Sequence, residues 1–226
     1  MAAIIKACKD GQLPKVEPAL VISSTSSAGG LEKAEKLGIP KKDILVINPK
    51  DFKDAEEFGR EIIKECEKRR VNFVGQYGWM ALTPGNVIKK FSGHIVNQHP
   101  GPLDNGRPDF GGKGMYGMRV HKARLEFVRA TKRDYWTEAT AHRVTSEFDK
   151  GEVVKRRQMS ISPNERTEHV KKRLLPVEHE VQIETLLDFS EGVVHPFKRK
   201  DPLVRPEEMK ILEKCKAIAR KAYPNG

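Results

Sequence analysis

Two classes of protein are disfavoured by what the sequence lacks. No run approaches the roughly 18 consecutive apolar residues that a membrane span needs, so we expect no membrane-spanning segment. The first residues carry only a short apolar stretch and no small-residue cleavage site, which argues against a secretory signal peptide. Only three cysteines occur, Cys8, Cys66 and Cys215, and they lie too far apart for a disulfide framework or a zinc site. These absences predict a cytoplasmic location, reduced thiols and no metal.

The charge is strongly one-sided for a chain of 226 residues. Lys and Arg number 42 against 31 Asp and Glu, which gives a formal net charge of +11. Such a balance favours anionic partners such as phosphates or nucleic acid, although a solvated lysine-rich surface gives the same count. No repeat or low-complexity linker divides the chain, so we expect a single domain over residues 1–226.

Apolar strand-like segments alternate with helical patterns through the first half of the chain. The predicted strands are 16–23, 44–47, 71–74 and 94–97. Strands that alternate with amphipathic helices form parallel sheets, because each crossover helix packs back onto the sheet. The sequence therefore predicts an α/β fold, with a Rossmann-like, mostly parallel sheet and helices on both faces.

The second half changes character. The patterns predict a helix near 115–129, paired strands at 138–144 and 153–161 around an Asp149-Lys150-Gly151 turn, a long helix over 166–189 and a basic helix over 206–222. Residues 193–226 are expected to form a C-terminal extension of the same domain.

Polar residues follow the fourth predicted strand, where open α/β sheets bind their ligands. Asn97 and His99 are two positions apart on an extended segment, so their side chains point the same way. An amide donor beside an imidazole suits acyl chemistry, because both can act on a carbonyl oxygen that gains negative charge. Asp149 is the candidate carboxylate that would orient the imidazole. A loop histidine with only a structural role is the alternative.

Several motifs in order carry a resemblance to a known family. Asn97-Gln98-His99-Pro100 and the run from His142 to Gly151 together resemble the folate-dependent formyltransferase family. The phosphoribosylglycinamide formyltransferase branch is the most similar, through Gly30-Leu31-Glu32-Lys33-Ala34, Gly38-Ile39-Pro40 and Glu178-His179. The resemblance runs from about residue 2 to about residue 192.

The resemblance implies an enzyme that uses 10-formyltetrahydrofolate as co-substrate. Asn97, His99 and Asp149 match the family's catalytic Asn, His and Asp. The amine of glycinamide ribonucleotide would attack the formyl carbon, as a step of de novo purine synthesis. Asn97 and His99 would stabilise the oxyanion, while Asp149 would hold His99 charged and assist proton removal.

Further binding residues follow from the same resemblance. Glu178 matches a carboxylate that binds the glycinamide substrate, and His142 matches a second histidine near the site, with a structural role as the alternative. The folate pocket would be lined by Trp79, Met80, Ala81 and Leu82 and closed by Thr145, Ser146, Glu147 and Phe148.

Three departures from the family concern phosphate and the sheet. The family's first strand and phosphate loop would precede Met1, and Ala55 stands where the branch carries a phosphate-contacting Arg. Without that strand, a gap is expected between the strand at 16–23 and the one at 71–74. The stretch from about Asp104 to Tyr135 is expected to be a basic, glycine-rich insertion that covers the site, binds phosphate or is merely solvated.

Alternative functions stay open at this point. Formyl transfer to an aminoacyl-tRNA or an amino sugar is one, and a non-catalytic folate-binding homologue is another. Only 34 residues follow Gly192, too few for the C-terminal barrel of the tRNA enzymes. The resemblance therefore predicts small-molecule partners, no membrane partner and no nucleic acid, and it leaves a homo-oligomer open.

Overall fold

The computed structural model describes residues Met1–Gly226 and contains seven α-helices and six β-strands. The helices are α1 (Ala2–Lys9), α2 (Gly29–Lys36), α3 (Ala55–Lys68), α4 (Gly85–Lys90), α5 (Met118–Thr131), α6 (Thr167–Glu191) and α7 (Met209–Ala222). The strands are β1 (Val21–Ser23), β2 (Ile44–Val46), β3 (Val74–Gln76), β4 (Ile95–His99), β5 (Trp136–Arg143) and β6 (Val153–Ser160). None of the helices combines the length and apolar character that crossing a membrane requires.

The chain separates into two compact units, each built from three segments. The first unit comprises Met1–Asn97, Arg143–Ser146 and Leu186–Val193. The second comprises Gln98–His142, Glu147–Thr185 and Val194–Gly226. The single domain over 1–226 stays a prediction.

The first unit holds two separate pairs of parallel strands. β1 pairs with β2 from Val21↔Ile44 onward, and β3 pairs with β4 from Val74↔Ile95 onward. The two pairs belong to different sheets. One continuous parallel sheet of these strands does not form, which agrees with the gap expected between the first and third strands. The first predicted strand is also shorter than expected, because residues 16–20 are not part of it.

A helix pair supplies most of the core of the first unit. Asp54 caps α3, since its side chain accepts a hydrogen bond from the Glu57 N–H at 2.8 Å. Phe58, Ile62 and Cys66 follow at spacings of four, so one face of α3 is apolar and buried. They join Val87 and Phe91 with β4, and apolar side chains of both strand pairs pack against this cluster.

β5 and β6 form the antiparallel pair that the sequence predicts. Their register runs from Trp136↔Ser160 to His142↔Val153, with an irregularity between Ala141 and His142. Both strand pairs of the first unit are parallel, whereas β5 and β6 are antiparallel. The α/β class with mostly parallel strands is thus confirmed.

The predicted insertion and extension are both parts of the core of the second unit. Val120, Ala123 and Phe127 of α5 are fully buried, against Leu212 and Cys215 of α7. The expectation of a merely solvated insertion near 104–135 is therefore wrong. Residues 193–226 likewise contribute side chains to this core.

Buried cations explain why this stretch looks solvated in the sequence. Arg124 is only 1% exposed, and its guanidinium lies 4.6 Å from the centre of the Trp136 ring. It donates hydrogen bonds to the carbonyl oxygens of Trp136 at 2.8 Å and Asp134 at 2.7 Å. Burial lowers the Arg124 pKa to about 9, which leaves the guanidinium charged at neutral pH. Carbonyl acceptors and an aromatic face thus replace its water.

Candidate active site

Strand β4 presents Asn97 and His99 on the same side. Ile95 and Val96 are buried at its start, and Asn97 is half-buried. His99 is only 3% exposed. Alternate side chains of a strand share a face, so the chain itself holds the amide and the imidazole two positions apart. This is the arrangement expected from the sequence.

The turn after β5 brings Asp149 to His99. Asp149 has a φ of +58°, in the left-handed region that short polar side chains tolerate better than most. Its Oδ2 lies 3.5 Å from Nδ1 of His99, and its side chain is 9% exposed. The structure therefore assembles the imidazole and the carboxylate that the sequence predicts as partners.

Two further groups hold the Asp149 carboxylate. The Gly112 N–H donates to Oδ2 at 2.9 Å, and Nε2 of His142 lies 3.4 Å from Oδ1. His142 is only 2% exposed. Burial raises the pKa of Asp149, but His99, His142 and the Gly112 N–H outweigh it and hold that pKa well below its usual range. The carboxylate is therefore ionised at neutral pH.

Burial opposes the charged form of His99. Burial lowers its pKa below the ordinary value, and the neighbouring His142 adds to this, while Asp149 opposes it only in part. The expectation that Asp149 holds His99 charged stays a prediction. Nε2 of His99 is buried and has no hydrogen-bond partner. That nitrogen is thus the one available for a reaction.

A second group of titratable residues extends from His99. Burial lowers the pKa of His121 to about 4, and Lys171 and His99 add to the effect. His121 is 2% exposed, and its Nδ1 has no hydrogen-bond partner. Glu178, half-buried on α6, has its pKa raised to about 7 by burial, although Lys171 opposes this. The charge of Lys171 thus acts on both His121 and Glu178.

Comparisons with known proteins show the family of this chain. The family model described as "Formyl transferase" matches residues 1–186. The chain belongs to the formyl transferase family. A chloroplastic phosphoribosylglycinamide formyltransferase of Arabidopsis thaliana is 30% identical over 185 residues, or 81% of this chain and 59% of the relative. The corresponding protein of Vigna unguiculata is 29% identical over 91% of this chain and 62% of its own length.

Solved structures extend the family likeness to the fold. Glycinamide ribonucleotide transformylase 1 from Symbiobacterium toebii matches with a TM-score of 0.72 and 26% identity, over 84% of this chain and 82% of that one. Its counterpart from Geobacillus kaustophilus gives a TM-score of 0.66 and 30% identity, over 83% and 89%. The chain spans about three-fifths of the length of the two plant relatives, at 59% and 62%.

The residues matched to the family's folate pocket lie in different surroundings. Met80 and Leu82 are each 53% exposed, and Ala81 is half-buried. Trp79 stacks on Phe58 with its ring centre 6.2 Å away, so its ring belongs to the core of the first unit. Thr145 is half-buried, whereas Ser146, Glu147 and Phe148 are exposed. Their role in folate binding stays a prediction.

Sequence reasoning missed two groups around this candidate site. Gly112 supplies the backbone N–H that donates to Asp149. His121 is a buried imidazole whose pKa is lowered by burial, Lys171 and His99. The cluster of glycines near Gly112 was a usable signal, because glycine permits backbone close to a side chain. His121 gave none, since a histidine inside a basic helix resembles a surface residue. No group of three or more His, Cys, Asp or Glu side chains is arranged to hold a metal ion.

Proposed function

We propose that this chain transfers the formyl group of 10-formyltetrahydrofolate to the amine of glycinamide ribonucleotide, a step of de novo purine synthesis. The observation that carries the proposal is the buried His99–Asp149 pair, with Nε2 of His99 free and Asn97 two positions away on β4. The names of the plant and bacterial relatives support the acceptor amine.

The resting charge state fits a base that acts during the reaction. Ionised Asp149 lies 3.5 Å from Nδ1 of His99 and favours the tautomer that carries its proton on Nδ1, which leaves a lone pair on Nε2. As the substrate nitrogen bonds to the formyl carbon, Nε2 takes a proton from that nitrogen. The imidazolium that forms is stabilised by Asp149.

Asn97 acts on the oxygen. When the amine adds to the formyl group, the carbonyl oxygen becomes an oxyanion, and the Asn97 amide donates a hydrogen bond to it. The bond from the formyl carbon to the folate nitrogen then breaks, and the electron pair stays on that nitrogen. His99 returns the proton to it. The products are the formamide and tetrahydrofolate, so the atoms and charges balance.

The other matched residues bind or position. Glu178 binds the glycinamide substrate, and its raised pKa means that this binding depends on pH near 7. His142 holds Asp149 from the side opposite to His99 and so acts as a positioning residue. The residues at 79–82 and 145–148 form the folate pocket. We also propose a cytoplasmic location and small-molecule partners only, in accord with three free cysteines.

The test is a formyl-transfer assay on the purified chain. Release of tetrahydrofolate is followed with glycinamide ribonucleotide as acceptor, and an aminoacyl-tRNA and an amino sugar are run in parallel. Of the three acceptors, we expect only glycinamide ribonucleotide to support turnover. Turnover with another acceptor would change the substrate, and folate binding without turnover on any amine would leave a binding protein and refute the enzyme.

A further inference from the structure

Helix α7 places a cation on one peptide group of the second unit. Nζ of Lys216 donates a hydrogen bond to the carbonyl oxygen of Gly111 at 3.1 Å. Lys216 is half-buried, and burial lowers its pKa, while Asp109 and Glu213 oppose the shift. The ammonium is therefore not a freely solvated surface charge. It has a fixed backbone acceptor.

The other end of that peptide group holds the Asp149 carboxylate. The carbonyl of Gly111 and the N–H of Gly112 belong to one peptide unit, and this N–H donates to Oδ2 of Asp149 at 2.9 Å. A cation on the carbonyl polarises the amide and makes its N–H a stronger donor. The chain of contacts runs from Lys216 through the peptide to Asp149 and then to His99, 3.5 Å away.

The backbone at this point requires glycine. A Cβ on Gly111 would lie 2.6 Å from Cδ2 of Leu103 and 2.7 Å from Cβ of Asp149, too close for any side chain. Gly112 has a φ of +99°, which favours glycine. Gly111 is further fixed because its N–H donates to Oδ1 of the buried Asp109 at 3.0 Å. The peptide therefore lies against Asp149 in one orientation.

We propose that Lys216 is a positioning residue for formyl transfer, which orients and stabilises the Asp149 carboxylate through the Gly111–Gly112 peptide. The inference rests on the proposed function for its effect on turnover. Lys216 lies beyond residue 186, where the match to the family model ends. The role is therefore read from the contacts of this chain alone.

The test compares three variants of the full chain. Lys216→Met removes the donor and keeps the length of the side chain, Lys216→Arg keeps a donor, and Lys214→Met is a control at an exposed position of the same helix. We expect Lys216→Met to lower kcat about 10-fold. Groups that orient the residues of a site through hydrogen bonds contribute at least about this much to activity. In Lys216→Met, KM is expected to stay unchanged, and the acid limb of the pH profile of kcat is expected to move to higher pH. Lys216→Arg is expected to restore most of kcat.

A second readout does not depend on activity. The Gly112 amide proton, followed by NMR, is expected to shift upfield in Lys216→Met, because its hydrogen bond to Asp149 weakens, and to stay in place in Lys214→Met. An unmoved Gly112 resonance, or equal kinetics in the two Met variants, would overturn the positioning role. If wild type lacks transfer activity, the proposed function fails, while the Gly112 shift still decides the contact. Lys216→Gln replaces Lys216→Met if the latter does not fold.

Discussion

Replacing Asp149 by Asn removes one charge from the site and keeps the shape of the side chain. The carboxylate faces Nδ1 of His99 at 3.5 Å and accepts from the Gly112 N–H at 2.9 Å. A neutral amide keeps one acceptor oxygen and gains a donor, so it cannot serve Gly112, His99 and His142 together. The charge that is proposed to stabilise the His99 imidazolium during transfer is lost.

The size of the effect follows from the distance. Two unit charges 3.5 Å apart interact by about 5 kcal/mol at an effective dielectric constant of about 20. Since about 1.4 kcal/mol is a factor of ten in rate, Asp149→Asn should lower kcat by roughly 10³–10⁴. KM should change little, because Asp149 is proposed to act on the reaction through His99 rather than by contacting the substrate.

The assay is steady-state formyl transfer to glycinamide ribonucleotide, with a melting curve for each variant. Glu207→Gln, at an exposed carboxylate of the second unit, is the matched control and should keep wild-type turnover. Asp149→Asn with more than about a tenth of wild-type kcat would refute the reasoning. So would a loss that appears only in KM.

Three further predictions concern the same units. Asn97→Ala should lower kcat ~10²–10³-fold without weakening folate binding, as judged by kinetics and calorimetry, because an oxyanion donor acts mainly in the transition state; unchanged turnover would reject its role. For Glu178, whose pKa is about 7, KM for the ribonucleotide should fall as pH rises through 7, because the carboxylate then ionises. Glu178→Gln should remove this pH dependence. If the pH profiles of KM for wild type and Glu178→Gln were parallel, the assignment would be contradicted. His121 has its folded-state pKa lowered from 6.5 to about 4, so between these values only the unfolded chain takes up its proton and stability falls as pH drops. Denaturant titrations should show a loss of roughly 3 kcal/mol over that window from this group; an equal loss in His121→Gln would show another origin.

Elements with strong periodicity could be predicted from the sequence. The long helix at 166–189 is observed as α6 and the basic helix at 206–222 as α7, because apolar spacing alone decides such segments. The β5–β6 pair was equally readable. The strand at 16–23 was overextended, since only Val21–Ser23 finds a partner strand. Periodicity shows that a segment is apolar but not what it pairs with.

The stretch from 104 to 135 was misjudged for a different reason. From composition alone, Arg124 is read as a solvated surface charge. In the structure, backbone carbonyl oxygens and the Trp136 ring surround it, so it is a core residue. The same limit applies to the site. Asn97, His99 and Asp149 could be proposed from short motifs, whereas Lys216 could not, because a lysine in a basic helix carries no local signal of its acceptor.

The second unit is built from three separate segments of the chain, and this affects how it folds during its synthesis on the ribosome. Arg119 of α5 donates to the carbonyl oxygens of Tyr223 at 2.8 Å and Pro224 at 2.6 Å, and Arg199 pairs with the buried Glu138. About 100 residues separate Arg119 from the carbonyl groups of Tyr223 and Pro224, which is roughly 5–20 s of translation. Until then the apolar face of α5 has no α7 to cover it, so the nascent chain offers a chaperone an exposed helix. Closing such long loops also slows folding. The second unit should therefore reach its native state only after residue 224 has left the ribosome.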